Sequence, residues 1–346
     1  MRSKRFRNFS TQSSLKTNVL PSFVLLTLAL LVGLTLSLGI GAVPLTPAQV
    51  LAALAGSPVR ESHTAIVWDF RLARGLLVCL CGMALGAAGA GFQGLFRNPL
   101  ADPYIVGASS GAALGATLAV VLAKATGFSI PIGAAAFLGA LVAVLVTSLL
   151  ADASGVGSSI AALLLSGVAV GSVLSALASL LLLLDDNAMH EVFAWLLGGF
   201  GGRSWPQLQQ ALWIAPVGMA AIWWMSRPLD ALSAGEESAR ALGLDLRWAR
   251  FVIIVGASLA TAAAVAAGGV IGFVGLIAPH LARSIFGAGH SRLIPAAMLM
   301  GGLILLGADV LARGLVPPLE LPIGVLTTLL GAPFFIVLLR IKGRVA

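Results

Sequence analysis

Charged residues are scarce in this chain. Only 10% of its 346 residues are Asp, Glu, Lys or Arg, and 59% are hydrophobic. Soluble domains carry about 25% charged residues. With a mean hydropathy of +1.02, the chain cannot fold as a water-soluble globule, so the bilayer must be its solvent. We therefore predict an all-α polytopic membrane protein built as one bundle of spanning helices.

The residues that build catalytic and metal sites are also few. The two cysteines, Cys79 and Cys81, lie two apart, so on a helix they point to nearly opposite sides and cannot bridge each other. No GxxxxGK[ST] motif occurs, which excludes ATP binding by a P-loop. No spacing suggests a metal site or a catalytic group, and we expect neither in this chain, nor a cofactor. The four scattered histidines are His63, His190, His280 and His290.

What the chain does contain is ten apolar segments of about 20 residues, the length that crosses a bilayer. We predict spans at 21–41, 71–95, 104–123, 130–150, 159–184, 205–226, 249–267, 270–286, 293–313 and 322–341. A single transmembrane domain thus covers 21–341, between a basic tail at 1–20 and a short tail at 342–346. The first apolar run could also be a signal peptide, although it exceeds the usual length of about 7–15 residues. The eighth span is the least regular, because glycines and Pro279 interrupt it.

The basic residues predict the orientation. With the N-terminus inside, fifteen Lys and Arg residues fall on the cytoplasmic side and six outside, as the positive-inside rule requires. Both termini and the polar segment 227–250 are then cytoplasmic. The net charge of +8 is accordingly a topology signal and predicts no nucleic-acid partner. Outside lie a long loop at 42–70 and a short amphipathic helix at 185–203.

A faint internal repeat supports a transporter. Residues 91–101 and 272–282 are identical at six of eleven positions, and each copy follows an Arg-x-Ala-Arg sequence, at 71–74 and at 247–250. The copies begin on opposite sides of the membrane, as in inverted-repeat transporters. Chance similarity in Gly- and Ala-rich sequence is the alternative.

The polar segment contains a candidate partner-binding helix, GEESARALG at 235–243. Glu236 and Glu237 would lie in its first turn, where carboxylates favour the helix dipole. Arg240 follows Glu236 by four residues and can pair with it. Ala241 and Leu242 form a small apolar patch ahead of a glycine stop at Gly243. The alternative is that this segment is an ordinary helix in a cytoplasmic loop, without a partner.

Five motifs carry a resemblance to a known family. They are FRNPLADPYIVGASSGAALGA (96–116), GEESARALG (235–243), GFVGLIAPHLAR (272–283), GADVLARGL (307–315) and ELPIGVLTTLLGAPFFIVLL (320–339). From about residue 20 to 340, the chain resembles the FecCD-type permeases of binding-protein-dependent ABC importers, which take up iron-siderophores, haem and cobalamin. The resemblance implies a homodimer in a bacterial inner membrane, two cytoplasmic ATPase subunits that bind ATP–Mg, and a periplasmic or lipoprotein substrate-binding protein. It also places residues 236–243 in a groove of the ATPase.

Three arginines stand on the outer side against the positive-inside bias: Arg71, Arg74 and Arg313. Arg71 and Arg74 lie three apart, on one helix face. The resemblance implies that these arginines receive acidic residues of the binding protein, and guanidinium–carboxylate pairs suit a reversible dock. Asp309 precedes Arg313 by four residues, so we expect it to pair within the helix.

The resemblance further implies that the fifth and tenth spans and the short outer helix line the translocation path. Small or mildly polar candidates there are Ser166, Gly167, Ser172, Ser175, Thr327 and Thr328. Helix packing explains each of them equally well.

A different class remains open from the residues alone, an ion-coupled secondary transporter. It would need acids near the membrane midplane, whereas Asp309 lies near a helix end. The sequence does not identify the cargo, and an iron chelate is the first expectation because that branch of the family is the broadest.

Overall fold

A computed structural model describes residues 19–57, 60–153 and 160–342, and these residues form helices with no strand. A π-helix over Ala65–Leu72 joins α3 to α4. The α-helices are α1 (Leu20–Gly39), α2 (Pro47–Leu54), α3 (Glu61–Thr64), α4 (Ala73–Phe96), α5 (Ala108–Thr126), α6 (Ile132–Ala153), α7 (Ile160–Leu183), α8 (Asp186–Leu196), α9 (Trp205–Trp224), α10 (Ser226–Ser233), α11 (Glu236–Ala241), α12 (Leu246–Gly268), α13 (Val274–Phe286), α14 (His290–Gly314) and α15 (Ile323–Lys342).

The predicted all-α polytopic fold is confirmed. Seven stretches in the described part of the chain are long and apolar enough to cross a membrane: α1, the continuous helix Glu61–Phe96 that ends as α4, α5, α6, α7, α12 and α14. The other three predicted spans correspond to α9, α13 and α15. The tails beyond residues 19 and 342 lie outside the described residues. The start of α1 lies beside the end of α13, where the Phe23 and Phe286 rings are 4.4 Å apart.

Helix α4 forms the centre of the bundle, and 89% of the most apolar 18-residue stretch of the helix Glu61–Phe96 is buried. It packs against α9, α12, α13 and α14. Small residues allow this, because a Cβ added at Gly82 would lie 2.3 Å from the Gly301 carbonyl oxygen, and one at Gly89 only 1.7 Å from that of Gly275. The abundance of glycine in this chain therefore serves close helix packing.

The third span begins later than predicted, at Ala108 in place of 104. Residues 97–107 form a loop in which the Asn98 side chain accepts from the Leu100 N–H at 2.9 Å and that of Asp102 from the Tyr104 N–H at 2.9 Å. Such Asx turns offer the backbone an alternative to helix. Arg97 closes α4 in the left-handed conformation.

The eighth span is short, as its glycines suggested. Helix α13 has 13 residues, and residues 269–273 before it are not helical. Gly269 and Phe273 have φ values of 73° and 66°. The Tyr104 hydroxyl lies against Ile271, donating to its carbonyl at 3.2 Å and accepting from its N–H at 3.3 Å. This tyrosine thus satisfies backbone groups that the broken helix leaves open.

The two copies of the proposed repeat differ in local structure. Residues 91–96 end α4 and the rest of that copy is loop, whereas the second copy has two non-helical residues and then enters α13. The inverted repeat therefore stays a prediction.

The outer segments contain more helix than expected. Within 42–70, the described residues include α2, α3 and most of the π-helix. The predicted outer helix is α8; the Asp185 side chain accepts from the Ala188 N–H at 3.0 Å and pairs with Lys124 at 2.9 Å.

Candidate functional sites: an outer arginine pocket and an inner coupling helix

The outer arginines meet around one buried acid, Asp309 of α14, which has no exposed surface. Arg74 donates to its Oδ1 from Nε and Nη2 at 3.0 and 2.9 Å. Arg313 approaches its Oδ2 with Nε and Nη2, both at 3.0 Å. The expected pair between Asp309 and Arg313 is present, and the acid also holds Arg74 from another helix.

A second carboxylate, Glu320, binds the remaining side of Arg74. It lies in the link between α14 and α15, and Arg74 Nη1 donates to its Oε1 and Oε2 at 2.8 and 2.9 Å. Unlike Asp309, its side chain is 44% exposed. Arg74 therefore joins a fully buried acid to one that faces solvent.

Arg71 and the remaining donor of Arg313 bind the end of α1 and the residues that follow it. Arg71 donates to the carbonyls of Leu38, at 2.7 Å, and of Val43. Arg313 Nη1 donates to those of Ser37 and Ile40, at 3.2 and 2.6 Å. The last carbonyls of a helix lack partners within it, so these arginines satisfy them and fasten α1 to the bundle.

The structure thus gathers the three predicted arginines at one end of the bundle, but each is engaged inside the chain. Arg71, Arg74 and Arg313 are only 9, 8 and 6% exposed. Arg71 lies in the π-helix and binds the end of α1, whereas Arg74 binds α14, and both line the same outer cavity. Their role in docking stays a prediction.

A fourth arginine, Arg203, lines the same outer cavity and was not predicted as a site residue. The cavity has a volume of about 260 Å³ and is also lined by Arg71, Arg74, Arg313 and Glu320. Partial burial lowers the pKa of Arg203 below its usual range. One signal could have identified it: like the other three, it is an arginine on the outer side, against the positive-inside bias.

On the inner side, the predicted coupling segment forms helix α11. Gly235 and Gly243, with φ values of 115° and 77°, bracket it in conformations that glycine adopts without strain. Glu237, Ala241 and Leu242 are exposed. Leu242 is the most prominent, with 77% of its surface exposed.

Glu236 fixes α11 to the membrane helices. Its carboxylate lies 3.9 Å from Arg240, the predicted partner, and only 2.6 Å from Nη2 of Arg250 in α12. Arg97, at the end of α4, is 4.0 Å away. Arg250 is one of the basic residues of the cytoplasmic side. Its side chain is 10% exposed and also anchors α11.

A further contact holds α10, the helix that leads into α11. The Asp230 carboxylate accepts from the backbone N–H of His290 at 2.9 Å and lies 2.6 Å from its Nδ1. The sequence reasoning missed this pair, because 60 residues separate its members.

The candidate path residues divide by burial. Ser172, Ser175 and Thr328 are exposed and Ser166 is half-buried. Gly167 and Thr327 are buried: a Cβ at Gly167 would lie 2.5 Å from the Ile105 carbonyl oxygen, and Thr327 is 5% exposed. Gly167 and Thr327 thus pack against neighbouring residues. Lining of a path by any of the six stays a prediction.

Comparison with known proteins agrees with this architecture. The model of the FecCD transport family matches residues 29–341. The chain belongs to the FecCD family. Its described residues contain no group of three or more His, Cys, Asp or Glu side chains that could hold a metal ion.

Several relatives of this FecCD-family chain are named as permeases. The cobalamin import system permease protein BtuC of Halobacterium salinarum is 42% identical over 82% of this chain and 75% of its own length. The vitamin B12 import system permease protein BtuC of Klebsiella pneumoniae is 40% identical over 92% and 93%. The Fe(3+)-citrate import system permease protein YfmE of Bacillus subtilis is 36% identical over 93% and 96%.

A solved structure shares the fold. An ABC transporter described as metal-chelate type, in an inward-facing conformation, superposes with a TM-score of 0.82 at 32% identity, covering 92% of this chain and 99% of the other. The FecCD-family chain is thus a multi-pass ABC importer permease of the cytoplasmic membrane.

Proposed function

We propose that this permease works as a homodimer that carries a metal chelate into the cytoplasm, driven by two separate ATPase subunits. The observation that best supports this proposal is the form of α11. It is a short cytoplasmic helix with an exposed apolar residue at its end, and Glu236 fixes it to α12. An exposed Leu242 held on a rigid support suits insertion into a groove of a partner. ATP–Mg would be bound by that partner, and this chain would hold no cofactor.

The outer arginine pocket is the proposed dock for a periplasmic or lipoprotein substrate-binding protein. It lies at the opposite end of α4 from the coupling helix. Arg71, Arg74 and Arg313 supply its positive charge, and their internal pairs give it a fixed shape.

The cargo class is proposed from the relatives. They are named for cobalamin and for Fe(3+)-citrate, and identities of 36 to 42% do not choose between the two. An iron chelate such as an iron-siderophore is our first candidate, and cobalamin or haem are the alternatives. Uptake of radiolabelled cobalamin, haem, ferric citrate and ferric siderophores into proteoliposomes with the complete transporter would identify the cargo.

Replacing Leu242 by aspartate tests the coupling proposal. A charge on this exposed residue should abolish co-purification of the ATPase subunits and chelate uptake while the permease still folds, since Leu242 has little buried surface to lose. Ser291→Asp adds the same charge at another exposed inner position and should leave both unchanged. Normal ATPase binding by Leu242→Asp would show that α11 is not the coupling element.

A further inference from the structure

A second cavity lies at the inner end of the bundle, between α4, α6, α7 and α12. It has a volume of about 460 Å³, within the range of about 300–1,000 Å³ that is usual for sites of small molecules. Most of its lining is apolar, and Leu95, Val144 and Leu163 in its walls are buried. An apolar cavity stays dry and takes up apolar molecules, so the occupant that fits this inner cavity is apolar over most of its length.

The inner cavity opens at the side of the bundle. Leu145 of α6 and Phe251 and Val255 of α12 line it, and they are 57, 57 and 38% exposed. Along α12 the cavity extends from Arg247 to Leu259, about 18 Å at a rise of about 1.5 Å per residue. One leaflet of a bilayer contributes about 15 Å of hydrocarbon. The cavity therefore has the length and the lateral access that an acyl chain of the inner leaflet needs.

Two arginines mark the inner end of this cavity, Arg247 and Arg250 at the start of α12. Arg250 is engaged by Glu236 at 2.6 Å, whereas Arg247 is exposed and forms no ion pair with any residue that the structure describes. Asp152 also lines the cavity, so two arginines and one aspartate leave the lining with a surplus of one positive charge. Basic pockets between spanning helices on the cytoplasmic side bind anionic lipid headgroups.

We propose that the inner cavity binds an anionic phospholipid of the cytoplasmic leaflet. One acyl chain lies along α12, and the headgroup phosphate pairs with the guanidinium of Arg247. A zwitterionic headgroup gains less there, because it brings its own cation next to the phosphate. Arg250 lines the same cavity and anchors α11, so the bound lipid lies beside the support of the proposed coupling helix. The inference does not depend on the cargo or on the outer pocket.

The experiment uses the purified full-length permease in detergent, in the oligomeric state in which it purifies. Native mass spectrometry measures the affinity for the first bound lipid while dioleoyl-phosphatidylglycerol or dioleoyl-phosphatidylcholine is titrated. The parent should prefer phosphatidylglycerol by about fivefold, as expected for one basic residue near a membrane surface. Arg247→Gln should remove this preference. Arg292→Gln is the matched control and should keep it, since Arg292 is an exposed inner arginine outside the cavity.

Ser258→Leu tests the site of the acyl chain. Ser258 lines the cavity, is 3% exposed, and its Oγ has no hydrogen-bond partner among the described residues, so leucine fills space without removing a bond. The variant should weaken the binding of both phospholipids by about tenfold or more, because the chain loses buried apolar surface. Ser284→Leu adds the same volume at an exposed position of α13 and should bind both lipids as the parent does. Thermal unfolding checks that all four variants fold.

A preference for phosphatidylglycerol that survives Arg247→Gln would overturn the inference, and so would lipid binding that Ser258→Leu leaves unchanged. Displacement of the lipid by inorganic phosphate at equal concentration would also overturn it, because the site would then need no acyl chain. Binding to the dissociated chain but not to the assembled oligomer would do the same, since another subunit would cover the cavity. None of these results bears on the proposed function, which ATPase binding and chelate uptake test separately.

Discussion

We expect replacement of Asp309 by asparagine to lower the free energy of unfolding by about 3 to 5 kcal/mol, the usual cost of removing one partner of a buried ion pair. The upper half of that range applies here, because Asp309 serves two arginines. Four guanidinium nitrogens lie within 3.0 Å of its oxygens. Asparagine has no charge, and its amide NH2 would face a donor.

Glu320→Gln provides an internal comparison. Glu320 binds the same Arg74 through two hydrogen bonds of similar length, but its side chain is half-exposed. An ion pair open to solvent contributes about 1 kcal/mol or less, and Arg74 keeps Asp309 when Glu320 is lost. Both variants thus remove a carboxylate partner of Arg74. They differ in burial and in the loss, at Asp309 alone, of a second arginine partner, Arg313.

Reversible unfolding in mixed micelles titrated with SDS, followed by tryptophan fluorescence, measures both losses. The reasoning requires that Asp309→Asn lose at least about 2 kcal/mol more than Glu320→Gln, the difference between the two ranges. Equal losses would show that burial does not govern this network and that the arginines find other acceptors when Asp309 is removed.

Two further pairs of variants probe the inner face and the core. Glu236→Gln should leave the ATPase subunits bound but lower the amount of chelate transported per ATP hydrolysed, because α11 loses its 2.6 Å bond to Arg250. The control, Glu237→Gln, changes an exposed residue of the same turn and should transport normally. An equal loss of transport in both variants would refute the role of Glu236 in anchoring α11. Gly89→Ala should prevent folding, since its methyl carbon would lie 1.7 Å from a backbone oxygen of α13. The control, Gly199→Ala, meets nothing within 4 Å and should fold. Size-exclusion profiles in detergent compare the two variants, and a monodisperse Gly89→Ala protein would contradict the close contact between α4 and α13.

The sequence was informative where a feature depends on neighbouring residues. Apolar length predicts the long helices, because each must match the bilayer. The glycines at 235 and 243 predict the ends of α11, and four-residue spacing predicts the contact of Asp309 with Arg313.

Contacts between distant residues were beyond sequence reasoning. Glu320 lies 246 residues from Arg74, so no spacing rule connects them. Arg240 was the predicted partner of Glu236, yet Arg250 on the next helix is closer by more than 1 Å. The sequence marks Arg203 only as an outer arginine, and packing alone shows that it lines the same cavity as the other three.

The two sites share one helix, and this constrains how they could communicate. Arg74 lies at the outer start of α4, and Arg97, which contacts Glu236, follows its inner end. At 1.5 Å per residue, the 24 residues of α4 extend about 36 Å. Glycine contacts hold its backbone against α13 and α14 along that length, so local bending would open gaps in a close-packed interior. A displacement at the proposed docking end would therefore reach the proposed coupling helix α11 through rigid-body movement of α4 together with the helices packed on it.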